Sequence, residues 1–476
     1  MEATSASVGW LAILPPIIAI GLAMITRQVL PALFAGIVIG WWILGDANPA
    51  NALAASIDGI IDVLADPGDA RVLAFALAIG ALIAVLESAG GVRGFVRWIE
   101  HRRWVSNGHS AQWLAWWTGI VIFIESNLTL LAAGAISRPL FDRYRVSREK
   151  LAYIIDSTSA PVCMLIPLNA WGAFLLSLLG TTALEDPLSV LVSALPLTVY
   201  AVLAVALAAA SIAWNWHPGP MAAAEARART GLVMAPGTLP LSSPSASSPG
   251  SEDFIYPGPA LMLAPLLTII VAVPIGLWIT GNGDPLAGSG SKAVLWAVLV
   301  GVGVASVLAL STRQFTGSGL LETALRGAGA MLPIALILLF AIALGDVSRT
   351  LGTGPWLAQI IGAHVAPLWL PALVFLSAAA TAFAIGSSWG TFAIMIPIAI
   401  PLALAIGLPA PLMLGAVLSG AVFGDHASPV SDTTVVASMA AATDHVEHVR
   451  TQLPYALIAA AISAVFYLGA GFITAP

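Results

Sequence analysis

The 476-residue chain is 59% apolar and only 9% charged, and its mean hydropathy is +0.95. An average soluble domain carries roughly 25% charged residues, so a soluble fold of this composition would leave large apolar areas facing water. The net charge is −6, and the single cysteine, Cys163, excludes a disulfide framework within the chain. The composition therefore predicts an integral membrane protein whose apolar faces meet lipid.

Ten apolar stretches approach or exceed the length of about 20 residues that a membrane-spanning helix needs. The first has neither the basic stretch nor the cleavage pattern of a secretory signal, so we interpret it as a retained span. Two further apolar stretches, 111–137 and 366–405, are each interrupted by polar residues. The predicted spans are 9–26, 29–45, 71–88, 151–180, 187–214, 258–280, 292–311, 328–346, 408–440 and 454–475.

Basic residues set the predicted orientation, because short cytoplasmic loops retain Lys and Arg. Half of the 18 basic residues stand in two loops, one before and one after the segment 111–137. The loop before the third span carries five aspartates and neither Lys nor Arg, so we expect it outside, together with both termini. The basic residues are Arg93, Arg97, Arg102, Arg103, Arg138, Arg143, Arg145, Arg148 and Lys150, and the acidic ones are Asp46, Asp58, Asp62, Asp66 and Asp69.

If both basic loops are cytoplasmic, the chain must enter and leave the membrane within 111–137, which is about 40 Å of helix. Two complete spans do not fit, whereas a re-entrant hairpin with its turn at Glu125-Ser126-Asn127 does. Irregular backbone at that depth needs cover from protein or from a water-filled cavity. The alternative is a single tilted span that leaves one basic loop outside.

The second half of the chain repeats the order of the first. DSTSAPVCMLIP around Pro161 and DHASPVSDTTVV around Pro429 each follow an apolar stretch with a polar break, which is 386–390 in the second half. Each half then holds five spans and one hairpin, and an odd number of spans inverts the second copy. This order predicts an all-α membrane transporter with two inverted repeats, 1–214 and 258–476, and broken helices near the midplane. We expect 215–257 to be a disordered cytoplasmic linker.

Ionisable residues inside predicted spans are costly and therefore functional candidates. Asp156 and Asp425 each open the repeated motif and precede hydroxyl residues and a proline, which frees an upstream carbonyl. Carboxylate, hydroxyl, amide and carbonyl oxygens suit a hard cation, so we predict Na+ at Asn127, Asp156, Ser388 and Asp425. All predicted ion- or substrate-binding residues are Glu125, Ser126, Asn127, Asp156, Ser157, Thr158, Asn169, Ser387, Ser388, Asp425, His426, Ser428 and Asp432.

Several polar residues also have structural interpretations. Asp425 and Asp432 could cap or pair within a broken helix, and Asp346 could form an ion pair with Arg349. His426 could relay protons or only pair with a neighbouring carboxylate. We place His445 and His448 in a cytoplasmic loop without a third metal ligand, so we expect no metal site there.

Three strings, 137–174, 386–402 and 423–457, resemble the NhaC-type sodium/proton antiporter family. The resemblance covers roughly 71–214 and 328–475. It implies a scaffold domain, a transport domain that moves as an elevator, and a homodimer in the inner membrane of a prokaryote. Many members carry two aspartates in the first hairpin, where this chain has Glu125-Ser126-Asn127. The residues it implicates are Asp156, Ser157, Thr158, Ser387, Ser388, Asp425, Ser428 and Asp432.

The function that we expect is Na+/H+ antiport by alternating access, with carboxylates that hold either ion. The alternative is a Na+- or H+-coupled carrier of a small organic acid or amino acid, for which Asn169, Trp171 and Trp389 could line the site. A membrane-embedded enzyme would need a nucleophile and base or a metal cluster, and the sequence offers neither. We expect no cofactor besides the transported ions and no nucleic-acid partner.

Overall fold

The computed structural model describes residues 9–26, 28–45, 48–91, 94, 98, 105–123, 126–167, 169–235, 258–283, 288–312, 315–353, 356, 365–429 and 431–474. Within these residues every regular element is helical. Eight of the described helices are long and apolar enough to cross a membrane, or up to nine if a pair bent by 119° is one span. The protein is therefore an all-α, multi-pass membrane protein, as predicted.

The first half of the chain contains helices α1 to α11, and short 3-10 turns precede α1 and α11. The helices are α1 Leu14–Thr26, α2 Val29–Leu44, α3 Pro49–Ala65, α4 Pro67–Ser88, α5 Gly108–Val121, α6 Ser126–Arg143, α7 Arg148–Ser157, α8 Ala160–Leu165, α9 Ala170–Gly180, α10 Pro187–Ala194 and α11 Val199–Ala213.

The second half follows a short helix in the predicted linker. The remaining helices are α12 Pro220–Arg229, α13 Ala260–Thr280, α14 Gly290–Ser311, α15 Gly317–Ala330, α16 Leu332–Thr350, α17 Leu370–Ile385, α18 Ser388–Ile406, α19 Ala410–Ala427, α20 Asp432–Ala441 and α21 His445–Thr474.

Two predicted spans are broken where the repeated motifs stand. The stretch 151–180 divides into α7, α8 and α9, and the stretch 408–440 divides into α19 and α20. Pro161 lies in the first turn of α8, where the missing amide proton of proline costs nothing. The broken helices are thus a property of the sequence motif in both halves.

The acidic segment before the third span is a helix, so its prediction as a loop was wrong. Helix α3 begins after Asn48, whose side chain accepts a hydrogen bond from the amide of Ala50 at 3.0 Å. Its apolar residues Leu53, Ile57 and Leu64 recur at helical spacing, which makes one face apolar. This periodicity favours a helix although Asp58 and Asp62 lie within it, while Asp66 is its C-cap residue and Asp69 belongs to α4.

Both predicted hairpins are pairs of helices that meet at a break. Helices α5 and α6 flank residues 122–125, of which Glu125 lies outside the described residues. Helices α17 and α18 meet at Gly386, whose φ of +73° lies in the left-handed region that favours glycine. Since α17 and α18 are each long enough to cross a membrane, the re-entrant course of the second pair stays a prediction.

Glycines bring the broken helix of the second half against the hairpin. A Cβ atom on Gly424 of α19 would lie 2.7 Å from Cβ of Ala382 on α17, and one on Gly420 would lie 2.9 Å from Cβ of Ala378. Small residues at four-residue spacing allow such close backbone approach between membrane helices. The packing fixes α19, and therefore Asp425, relative to α17.

The predicted linker contains ordered structure as far as residue 235. Helix α12 forms because its sequence, PMAAAEARAR, consists almost entirely of strong helix formers after an N-terminal proline. The expectation of disorder was wrong for this stretch, and 236–257 lie outside the described residues.

Candidate functional site

Helix α7 ends immediately after the first predicted carboxylate. Thr158 is the C-cap residue, and its hydroxyl donates to the carbonyl of Ile154 at 2.8 Å. The side chain packs on Gly119 of α5, where a Cβ atom would lie 2.5 Å from Cβ of Thr158. Thr158 therefore contributes to the helix end and to the packing of the first hairpin, with its hydroxyl directed to the backbone.

Asp156 is 1% exposed and lies among nitrogen-bearing side chains. Its Oδ2 atom accepts a hydrogen bond from Nε2 of Gln452 at 2.7 Å. Nε2 of His448 lies 3.4 Å from the same oxygen without hydrogen-bond alignment, and Nε2 of His426 lies 3.7 Å away. Oδ1 is buried without a hydrogen-bond partner in the described part of the chain. The carboxylate and two imidazoles thus form one group of proton-binding side chains.

His426 joins this group to three different helices. Its Nδ1 atom is 2.7 Å from the hydroxyl of Tyr200 on α11, and its Nε2 atom is 3.4 Å from Oγ of Ser157 on α7. Its main-chain carbonyl accepts the second hydrogen bond of Gln452, at 2.7 Å. The structure therefore brings the predicted residues Asp156, Ser157 and His426 together.

Asp425 is 2% exposed, and its hydrogen-bond partners among the described residues are hydroxyl and amide groups. Oδ2 accepts from Oγ of Ser388 at 2.6 Å and from the Ser388 amide at 3.3 Å, while Oδ1 accepts from Oγ of Ser431 at 2.6 Å. Ser388 is the first residue of α18, so the carboxylate faces a helix N-terminus, which favours negative charge. The predicted pair Asp425 and Ser388 is in direct contact.

Three other predicted residues are engaged with the backbone. Ser387 caps α18 by accepting from the Gly390 amide at 3.3 Å, and Ser428 donates to the carbonyl of Phe383 at 2.7 Å. Asn169 caps α9, and its amide group donates at 2.9 Å to carbonyls on both sides of the first break: those of Phe123, Cys163 and Ile166. These residues hold the broken helices together.

Ser126 and Asn127 begin α6. Ser126 is buried, and Oδ1 of Asn127 is buried without a hydrogen-bond partner among the described residues. Asp432 is the first residue of α20, but its side chain lies outside the description, as does Glu125 altogether. The contribution of the first hairpin tip to ion binding stays a prediction.

Four residues of the site escaped the sequence analysis: Tyr200, Ser431, His448 and Gln452. The placement of His445 and His448 in a loop was wrong, because α21 begins at His445 and His448 is fully buried beside Asp156. The available signal was the spacing of His448 and Gln452, which puts two polar side chains on one helix face ahead of an apolar span. His445 instead contacts Oγ of Ser438 and the carbonyl of Pro429. The described residues contain no cluster suited to a metal ion.

Asp346 forms an ion pair with Arg349, as the structural interpretation of its sequence position predicted. Its Oδ1 atom is 2.7 Å from Nη2 of Arg349, which also donates through Nη1 to the carbonyl of Thr181 at 3.0 Å. Both side chains line a cavity of about 840 Å³ together with Asp62, Asp66, Asp69, Glu185 and Asp186.

Comparison with known proteins identifies the family. A family model described as the Na+/H+ antiporter family matches residues 180–472, more than half of the chain. The chain belongs to the Na+/H+ antiporter family. This antiporter-family chain is also 32% identical over 477 aligned positions to an uncharacterized protein of Haemophilus influenzae, covering 97% of this chain and 90% of that protein.

Two relatives with named activities match over shorter regions. The malate-2H(+)/Na(+)-lactate antiporter of Bacillus subtilis is 43% identical over 89 residues, 19% of each protein. The arginine/ornithine antiporter ArcD of Halobacterium salinarum is 33% identical over 149 residues, 31% of this chain and 30% of that protein. The predicted family is confirmed, and the family is one of secondary transporters.

Solved transporters share the fold at low sequence identity. The YdaH transporter of Alcanivorax borkumensis superposes with a TM-score of 0.59 and 12% identity over 96% of this chain and 98% of that one. MtrF of Neisseria gonorrhoeae gives 0.52 and 9% over 89% and 84%. These likenesses support the predicted transporter fold.

Proposed function

We propose that the protein is a secondary antiporter that exchanges Na+ for H+ by alternating access. The observation that carries the proposal is the pair of buried carboxylates, one from each repeated motif, with different partners. Asp425 is surrounded by hydroxyl and amide groups, whereas Asp156 lies beside two histidines and Gln452. We assign Na+ to Asp425 and the proton to the group around Asp156.

The surroundings of Asp425 suit a hard cation. The hydroxyls of Ser388 and Ser431 donate to the carboxylate here, and each hydroxyl oxygen also has lone pairs that can face a cation after rotation of its proton. Carboxylate and hydroxyl oxygens are hard ligands of the kind that alkali and alkaline-earth ions prefer. When a sodium ion binds, the hydroxyls of Ser388 and Ser431 would stop donating to the carboxylate, and their oxygen atoms would ligate the ion instead.

The surroundings of Asp156 suit a proton. Nε2 of His426 and Nε2 of His448 both lie within 3.7 Å of Oδ2 of Asp156, so one proton can be held among these three side chains. His426 directly follows Asp425, which places this group next to the proposed sodium site. Two positive charges this close repel each other in a medium of low dielectric constant, so sodium binding favours release of the proton.

The same proposal includes the arrangement in the membrane. We propose that the two halves are inverted repeats, that 111–137 and 366–405 act as re-entrant hairpins of an elevator-type transport domain, and that both termini lie outside the cytoplasm. We further propose a homodimer in a prokaryotic inner membrane and no cofactor besides the transported ions.

The test uses the full-length protein in liposomes that contain a pH-sensitive dye. External Na+ should drive proton efflux, and Asp156→Asn or Asp425→Asn should abolish it. Glu322→Gln is the control, because this glutamate is exposed and, among the described residues, pairs with Arg326 on its own helix. Absence of Na+-dependent proton movement in the wild type would refute the proposal.

Exchange of a small organic acid or amino acid is the second candidate. It is favoured by the activities of the two named relatives and by buried polar atoms without hydrogen-bond partners in the described structure: Asp156 Oδ1, Gln452 Oε1 and both ring nitrogens of His448. A lone ion needs fewer such groups. Proton or sodium flux that begins only on addition of malate, lactate, arginine or ornithine would establish this function instead.

A further inference from the structure

The end of α7 opposite to Asp156 is held by the first part of the predicted linker. Oε1 of Glu225 on α12 accepts from the amide of Ser147 at 3.0 Å and from its hydroxyl at 2.6 Å. Oγ of Ser147 in turn accepts from the amide of Lys150 at 3.1 Å, as the N-cap of α7. Glu225 therefore extends the N-cap and places a buried negative charge at a helix N-terminus, where it is favourable.

An ion pair also joins the same two helices. Nη2 of Arg227 lies 2.6 Å from Oε1 of Glu149, whose side chain is only 1% exposed. Arg227 also donates through Nε to the carbonyl of Leu232, and the carbonyl of Val233 accepts from the amide of Arg148 at 3.1 Å. The linker thus satisfies a buried carboxylate and a free amide of α7, and without it both would lose their partners.

Lys150 fixes this end of α7 to the rest of the protein. It is fully buried, and its Nζ atom donates to Oγ of Ser211 on α11 at 2.6 Å. The ammonium group also lies 5.3 Å and 5.4 Å from the ring centroids of Tyr153 and Tyr455, which stack at 4.0 Å. Tyr455 belongs to α21, the helix that also carries His448 and Gln452.

Helices α7 and α21 therefore connect Asp156 and its partners to the contact region around Lys150. From Lys150 to Asp156 the rise along α7 is about 9 Å, and α21 continues from Tyr455 back to Gln452 within one turn. We propose that residues 220–235, which we name the linker clamp, hold α7 in register with α21 and so position Asp156 against Gln452 and His448. Glu225 and Arg227 are then positioning residues for transport, an inference that rests on the proposed function.

The experiment compares Glu225→Gln and Arg227→Gln with Arg229→Gln, which alters an exposed arginine of the same helix. Hydrogen–deuterium exchange on the full-length protein reports the order of α7 without reference to transport. Sodium-driven proton flux in liposomes reports KM and maximal rate. In the first two variants we expect α7 amides to exchange about tenfold faster, and the KM for Na+ to rise severalfold, since each weakens or loses two charge-assisted hydrogen bonds. Arg229→Gln should match the wild type.

Exchanging the charges of Arg227 and Glu149 distinguishes loss of this ion pair from general misfolding. The double variant Arg227→Glu/Glu149→Arg restores the pair in reverse, so it should recover both exchange protection and KM better than Arg227→Glu alone. Unchanged α7 exchange in Glu225→Gln and Arg227→Gln would overturn the clamp. Faster exchange with unaltered KM would overturn its role in positioning Asp156. If the wild type shows no sodium-driven flux, the proposed function fails first, and KM for the organic substrate then takes the place of KM for Na+.

Discussion

Replacement of Gly119 by alanine tests how tightly the first hairpin constrains Asp156. The new Cβ atom would lie 2.5 Å from Cβ of Thr158 and 3.1 Å from its carbonyl oxygen. The distance between the Cβ atoms must therefore widen by about 0.9 Å to reach the 3.4 Å of ordinary contact. Either α5 moves away from α7, or the end of α7 shifts and the hydrogen bond of Thr158 to Ile154 weakens.

The expected magnitudes follow from this overlap. Overpacking of a tight contact costs about 1–3 kcal/mol, and alanine regains up to about 1 kcal/mol of helix propensity over glycine. With that gain in full, the net loss of stability is about 0–2 kcal/mol. The effect on transport should be larger, because misplacement of a functional group by about 1 Å can reduce a rate on the order of 100-fold, and Thr158 is two residues from Asp156.

The assay is sodium-driven proton flux in liposomes, with thermal unfolding of the same sample. Gly303→Ala on α14 is the matched control, since a Cβ atom there meets nothing within 4 Å. We expect Gly119→Ala to lose most of its flux with a small fall in Tm, whereas Gly303→Ala keeps its flux. Flux in Gly119→Ala equal to that of the control, at an unchanged Tm, would show that α5 and α7 yield freely and would refute the reasoning.

Two further predictions concern the face that we expect to be cytoplasmic. Burial, together with the charges of Lys150 and Arg229, lowers the pKa of His217 from 6.5 to about 4. Between about pH 4 and pH 6.5, His217 binds more protons when its segment is detached from the protein than when it is packed. Acidification from pH 7 to 5 should therefore destabilise the packing of the segment around His217. Amide protection factors, which remove the intrinsic pH dependence of exchange, should fall there in the wild type and less so in His217→Gln; equal pH responses would contradict this. Arg145 lies in the predicted cytoplasmic loop and is exposed, so Arg145→Cys should react with an impermeant maleimide only from the cytoplasmic side, and labelling from outside would refute the predicted orientation.

The two carboxylates were accessible to sequence analysis because each opens a repeated motif. Asp156 and Asp425 precede hydroxyl residues and a proline in an otherwise apolar region, and the cost of a buried charge marks them without any knowledge of their contacts. Ser388 was found for the same reason, as a polar break between two apolar helices. The structure joins it to Asp425 by a 2.6 Å hydrogen bond.

The partners of Asp156 could not be found in this way. Gln452 is 296 residues away along the chain, and only the packing of α7 against α21 brings the two together. A polar residue at the start of a long helix is usually solvated, so the four-residue spacing of His448 and Gln452 indicates a shared helix face but not which residue that face contacts. For the same reason the linker looked like a tether, since Glu225 and Arg227 acquire a function only when α7 presents Ser147 and Glu149 to them.

Asp425 and His426 are adjacent in the chain, and this adjacency connects the proposed sodium site to the proposed proton-binding group. Successive residues of an α-helix point about 100° apart, so α19 directs Asp425 toward Ser388 of α18 and His426 toward Asp156 of α7. In the proposed mechanism, the cation and the proton therefore bind in different surroundings, while α19 contributes a residue to each. Movement of α19 by a fraction of its diameter would lengthen one set of contacts and shorten the other. In the proposed exchange of one ion for the other, no long-range relay is needed, because the two sites contain adjacent residues of α19.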